Sequence, residues 1–177
     1  MSSPSPTIHV RPLRPNEWPL YRDLRLRSLA DAPDAFGSTH AQEAARPDAA
    51  WAARLDAARL SGRDHPLVAE SSGEAVGLAW VKLNDAQPSC ADLYQVWVAP
   101  SARGLGAGTA LLEAATQWAR DAGAVALRLG VTWDDSAAVR LYRRAGFAPV
   151  GALEPLRDGS ALQSQPMQLA LVAATAD

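Results

Sequence analysis

The stretch Arg103-Gly104-Leu105-Gly106-Ala107-Gly108-Thr109 constrains this chain most, because it sets three glycines within five positions directly ahead of an apolar-periodic run. Glycine accepts positive φ and leaves no side chain above a turn. Several backbone N–H groups can therefore converge there on one anion, reinforced by the start of the following helix. Arg103 adds a fixed positive charge with a planar donor fork suited to phosphate oxygens. A glycine-rich turn without a ligand is the plain alternative. A P-loop is excluded, since no Gly-Lys-Ser/Thr follows. A Rossmann fingerprint is weakened, because Thr109 stands where its last glycine belongs. Asp134, near the end of the next strand, can still imitate the ribose-binding acid, so a dinucleotide reading stays open.

Period and punctuation around this turn imply an alternation of elements. Ile8 to Arg11 reads as a strand closed by Pro12 and Pro15, and Asn16 as the N-cap of a helix running to Leu29. Asp48 to Leu60 reads as a second helix. Leu67 to Glu70 and Ala75 to Leu83 are strands joined by Ser71-Ser72-Gly73, and Asp92 to Ala99 is the next strand. Thr109 to Ala122 is helical, with Gly123 where a C-cap belongs. Val125 to Val131 is a strand, Asp135 to Ala145 a helix capped by Gly146, and Phe147 to Ala152 and Met167 to Val172 are strands. The expected fold class is α/β, with a mixed, mostly antiparallel sheet, a parallel β-α-β crossover at the glycine turn and helices on both faces. That crossover puts its loop at the carboxyl end of a strand, where α/β proteins bind ligands.

The chain has 177 residues, of which 48% are hydrophobic and 20% charged, enough for one ordinary domain with its own core. Residues 8–173 are expected to form it. Residues 1–7, Ser/Pro-rich and without a basic or apolar block, read as a flexible tail rather than a signal peptide. A net charge of -2 favours neither nucleic acid nor an anionic membrane as partner. No apolar run approaches the ~20 residues of a membrane span. Cys90 is the only cysteine, and His9, His40 and His65 show no ligand spacing, so no metal site is expected. The reducing compartment this implies is the cytoplasm.

Two segments carry a resemblance to a known family. Val98-x-Pro100-x-x-Arg103-Gly104-x-Gly106-x-Gly108 resembles the Arg/Gln-x-x-Gly-x-Gly/Ala pyrophosphate motif of the GNAT superfamily of N-acetyltransferases. Downstream, the run from Asp135 through Ala138, Leu141 and Tyr142 to Gly146-Phe147 resembles that family's Asn-x-x-Ala-x-x-Leu-Tyr-x-x-x-Gly-Phe segment. The family's asparagine is Asp135 here; its carboxylate caps a helix as an amide does but cannot donate to a cofactor. The opening, from Arg22 to Leu29 and then Asp34-Ala35-Phe36-Gly37-Ser38, resembles a bacterial branch of the family.

The resemblance implies acetyl-CoA as donor and a primary amine of a small molecule or peptide as acceptor. It implies that main-chain groups of Val96, Trp97 and Val98 hold the pantetheine arm in a splay between two strands. An N–H aimed at the developing oxyanion there is typically worth ~3–4 kcal/mol. The pyrophosphate falls to Arg103, Gly104, Leu105, Gly106, Ala107, Gly108 and Thr109, with Asp135, Ala138 and Tyr142 completing the cofactor contacts. Tyr142 corresponds to the tyrosine that protonates the departing thiolate, and the alternative is a packed helix aromatic. Asp92, six residues before Val98, is the candidate general base, with Tyr94 and Gln95 as water-positioning neighbours; the alternative is a structural carboxylate at a turn. Arg22, Arg25 and Arg27 read as a solvated helix face, and Trp97 and Trp133 as candidate walls of the acceptor pocket. A homodimer is admitted by analogy only. Two rival readings remain: a CoA-binding sensor or interaction module without turnover, and an NAD-type oxidoreductase.

Overall fold

Apolar residues fill Leu67–Ala69 and Val76–Val81 on either side of Ser72-Gly73, and the chain reverses there with both turn residues at positive φ, 50° and 80°. That is the geometry of a two-residue hairpin turn matched to strand twist. This hairpin lies within the sheet of the computed structural model, which describes residues 4–133 and 136–171. In chain order, β1 (Ile8–Pro12) is followed by α1 (Trp18–Asp31), α2 (His40–Ala44) and α3 (Asp48–Ser61). Next come β2 (Asp64–Ser71), β3 (Glu74–Leu83), β4 (Cys90–Val98), α4 (Ala107–Asp121) and β5 (Ala126–Thr132). The chain continues with α5 (Ser136–Arg144), β6 (Ala148–Pro149), β7 (Glu154–Pro155) and β8 (Gln163–Ala170). The strands form one sheet in the order β1-β2-β3-β4-β5-β8-β6, with β7 on β8. Every pairing is antiparallel except β4–β5, whose crossover is α4. The mostly antiparallel sheet with one parallel β-α-β unit is therefore as expected.

Uninterrupted burial of β3 from Val76 to Val81 requires cover on both faces. Side chains alternate along a strand, so Gly77 and Trp80 face opposite ways. Gly77 faces α4: an ideal Cβ there would sit 3.1 Å from Leu111 Cδ1 and 3.0 Å from the Trp97 carbonyl oxygen. Trp80 faces α1, its ring 5.4 Å from that of Tyr21, which meets Trp51 of α3 edge-on at 5.4 Å. Tyr21, Leu24, Leu29, Trp51 and Leu55 are fully or almost fully enclosed between these helices and the sheet. Burying each aliphatic side chain of this size contributes about 1.5–3 kcal/mol.

Several boundaries differ from the sequence reading. Asn16 does not cap α1; Pro15–Glu17 form a 3-10 turn and α1 begins at Trp18. No side chain caps α1; the Glu17 carboxylate instead closes the 3-10 turn, accepting from the Arg14 amide at 2.7 Å and from Arg11, which also bridges to Glu70 at 2.9 Å. The short helix α2 went unanticipated; a reciprocal pair starts it, with Thr39 Oγ1 accepting from the Gln42 amide and Gln42 Oε1 from the Thr39 amide. Of Phe147–Ala152, only Ala148–Pro149 pairs as strand, because Pro149 lacks a donor and Gly151 turns the chain at φ 68°. β8 begins at Gln163, ahead of the expected Met167. Asp134, Asp135 and Val172 lie outside the described residues.

The close approach of three elements at Gly77 predicts that Gly77→Ala lowers the unfolding free energy by about 1–3 kcal/mol, the usual cost of overpacking. Urea titration checks it, and an unchanged midpoint would contradict the tight seat between Trp97 and Leu111.

Candidate functional site

β4 and β5 pair only from Cys90–Asp92 to Ala126–Arg128, and then part. The cause lies in β4. Leu78 of β3 faces Trp97 and Trp80 faces Tyr94, so one β3 residue opposes two on β4, with Gln95 at φ 58°. This bulge bends the strand and increases its local twist. An L-residue in the left-handed region is strained, and the Gln95 side chain is held there: Tyr21 Oη donates to Gln95 Oε1 at 3.0 Å and accepts from Arg54 at 3.2 Å. Past the bulge, the Ala99 amide donates to Val76 O at 2.7 Å. Strand alternation then turns the amides of Val98 and Val96 away from β3, into the gap facing β5.

At the end of β4 the chain enters the glycine turn. Gly104 and Gly106 have φ 78° and 87°, and a Cβ on either would meet nothing within 4 Å. Among the described residues, the backbone N–H groups of Gly104 through Thr109 make no hydrogen bond within the protein. They surround the first turn of α4, where the helix dipole favours an anion. Gly108 differs in role: an ideal Cβ would lie 3.1 Å from Leu141 Cδ2, so its lack of side chain lets α5 approach.

A cavity of about 590 Å³ runs from this turn along the end of β4 and under α5. Its walls include Val96, Trp97, Val98, Arg103, Gly104, Gly106, Ala107, Gly108, Thr109, Ala138 and Tyr142, nearly all the residues expected at the cofactor. Leu105 is exposed and outside these walls, and Asp135 lies outside the described residues. Arg144, on the helix after the gap, joins the lining. Arg103 is already engaged: it pairs with Asp31 Oδ2, and its Nε donates to Val98 O at 3.2 Å. The same Asp31 oxygen accepts from Trp97 Nε1 at 2.9 Å. Asp31 thus anchors the end of α1 to the edge of the cradle, a role no sequence signal announced.

A second cavity of about 410 Å³ opens between the parted strands, lined by residues 93–96 of β4 and 129–132 of β5. It shares Ala35, Phe36, Val96, Ala138 and Tyr142 with the first, so Tyr142 stands in the walls of both. Tyr142 is 8% exposed and packs edge-on against Phe147 at 5.9 Å. Leu93, Tyr94 and Gln95 line the second cavity, but Asp92 lines neither. Asp92 accepts from Asn84 Nδ2 at 2.7 Å. Burial, then the Asp92 carboxylate, holds the neighbouring Tyr94 phenol above its ordinary pKa. Trp97 borders the cofactor cavity rather than the acceptor side, and Trp133 is exposed and lines neither. Arg25 departs furthest from expectation: it is 3% exposed and lines the second cavity, not a solvated face. Among the described residues, no three metal-ligating side chains cluster.

A mixed sheet parted between two parallel strands, over a glycine-rich helix start, is the arrangement of acetyltransferases, and the chain belongs to the acetyltransferase (GNAT) family, whose model matches residues 25–147. It is 32% identical over 148 residues to a mycothiol acetyltransferase of Sanguibacter keddieii, covering 81% of this chain and 44% of that protein. A mycothiol acetyltransferase of Pseudarthrobacter chlorophenolicus is 33% identical over 123 residues, covering 68% and 36%. The chain thus spans less than half the length of these curated relatives. Its fold matches an acetyltransferase of Salmonella typhimurium solved with acetyl-CoA, at a TM-score of 0.78 and 22% identity over 97% of this chain and 98% of that one. It also matches a spermidine N-acetyltransferase of Vibrio cholerae solved with CoA and spermine, at 0.76 and 17% over 93% and 95%.

The cradle predicts the effect of one methyl group. Gly106→Ala places a Cβ in the open mouth at positive φ, costing about 1–2 kcal/mol of stability and weakening CoA binding at least tenfold. Calorimetric titration with CoA, beside a melting curve, separates the two effects; unchanged CoA affinity would remove the turn from the site.

Proposed function

We propose that this chain transfers an acetyl group from acetyl-CoA to a primary amine of a small molecule or peptide, by direct attack of the amine on the thioester. The observation that carries this reading is that two cavities share Tyr142 in their walls, one running back to unengaged amides on a helix start and the other extending between β4 and β5. A passive CoA-binding module has no need of the second space. The fit to CoA is argued from the parted strands, whose inward-turned amides offer pantetheine the pairing that β5 declines, and from the open cradle above Gly104 and Gly106.

Acetyl-CoA supplies an activated acyl carbon and a thiol leaving group. The Val96 and Val98 amides orient and polarise the carbonyl. The amine nitrogen bonds to the acetyl carbon as the carbon–sulfur bond breaks. Tyr142 gives the departing thiolate its proton, its phenolic O–H acting as the general acid. The proton lost by the amine travels through Tyr94 or a water beside it toward Asp92, which acts at a distance since it lines neither cavity. The unpartnered amides of the cradle and Arg144 bind the phosphate end. A cytoplasmic setting goes with this reading; no helix among the described residues is long and apolar enough to cross a membrane.

The test is an amine panel read by CoA release. Tyr142→Phe is expected to lower kcat about 10²-fold or more, within the usual range for general acid catalysis, while CoA still raises the melting temperature. CoA stabilisation with no release from any amine would favour the sensor reading, and stabilisation by NAD(H) instead would favour the oxidoreductase. Asp92→Asn is expected to shift the acid limb of the pH–rate profile; an unmoved profile would return Asp92 to a structural role beside Asn84.

A further inference from the structure

Arg25 is a buried cation that makes no ion pair of its own among the described residues, with Glu43 acting on it only at longer range. Its Nε and Nη1 are enclosed and make no hydrogen bond among the described residues. The guanidinium lies over the Phe36 ring, 4.7 Å from its centre. Of the described side chains lining the second cavity, Arg25 alone carries a charge. Arg54, the cation that acts on it, shares Glu43 with Arg46, at 3.3 and 3.1 Å. Glu43, the nearest acid, is thus committed to two other arginines. Enclosing a guanidinium unpaired is costly. A fold tolerates such a cost most readily where a ligand removes it.

We infer that Arg25 anchors an anionic group of the acceptor, so that the substrate class is a small amine bearing a carboxylate or a phosphate, of amino-acid size. The inference rests on the transferase reading for what happens at the amine, but not for the anion site itself. A planar fork suits either anion. The cavity's volume of about 410 Å³ suits a small molecule. Leu129 and Leu156 provide apolar wall, and the Ser38 and Ser164 side chains stand beside it as polar groups. With the anion at Arg25, the amine end is left to the Tyr142 side of the same space. Among the described residues no aspartate or glutamate lines these walls, so none of them offers a polycation a partner. The segment Ala35-Phe36-Gly37-Ser38, part of the opening run that resembles a bacterial branch of the family, lies in these walls with Arg25.

The experiment pairs each amino acid of a panel with its decarboxylated amine, and phosphoethanolamine with ethanolamine, measuring CoA release. The acidic member of at least one pair is expected to show a kcat/KM at least tenfold higher, mainly through KM. In Arg25→Gln the two members are expected to converge, and in Arg25→Lys part of the preference returns. The two acidic arms separate carboxylate from phosphate. Melting curves with CoA present supply a readout free of turnover: the preferred acid stabilises the native chain and loses that effect in Arg25→Gln, while stabilisation by CoA alone shows that the variant has folded. Equal rates for acidic and neutral members, or a preference intact in Arg25→Gln, would overturn the proposal. No CoA release from any amine, with acid stabilisation still dependent on Arg25, would sink the transferase reading and leave the anion site standing.

Discussion

One extra residue in β4 governs the rest of this molecule. Were β4 regular past Asp92, the β4–β5 ladder would continue, satisfying the very amides the site leaves open. Gln95 prevents this by taking a backbone region that costs an L-residue about 1–2 kcal/mol. The hydrogen bonds from Tyr21, and behind it Arg54, offset that strain. Tyr21 is itself fixed between Trp51 and Trp80 in the core. Packing of α1 and α3 on the sheet therefore holds the bulge, and the bulge holds the gap open.

The electrostatics divide along the same line. On the cofactor side, positive character comes from main-chain N–H groups and a helix start. The nearest side-chain cation, Arg103, is balanced by Asp31. Such a site attracts phosphates by geometry more than by net charge, consistent with a chain whose formal charge is -2. On the other side, Glu43 pairs with Arg46 and Arg54 and leaves the Arg25 guanidinium without an ion pair of its own.

Much of the fold could be read beforehand, because long strands and α4 carry clear periods and their punctuation is glycine or proline. The glycine cradle was legible for the same reason. What escaped detection were features in which one interaction outranked local preference. Asn16 is a good cap by type, yet it lies inside a 3-10 turn that Glu17 closes through Arg14 and Arg11. The strand after Phe147 yielded to Pro149 and Gly151. Gln95 gave no warning, since nothing in a glutamine foretells positive φ. Arg25 looked solvated because charge on a helix usually is; its turn of α1 lies instead under Phe36 and beside β4, which a one-dimensional pattern does not reveal. Asp92 was found on the expected strand but set back from the cavities, because spacing along a bulged strand does not fix which face a side chain reaches.

On the proposed reading, the donor end of the cleft relies chiefly on main chain and the acceptor end on side chains. Five residues, Ala35, Phe36, Val96, Ala138 and Tyr142, belong to both. Substitutions can therefore drift freely around Arg25, Ser38 or Leu156, exchanging one clientele for another, while the grip on the common co-substrate stays untouched. A scaffold partitioned in this way can radiate into many specificities without relearning its chemistry.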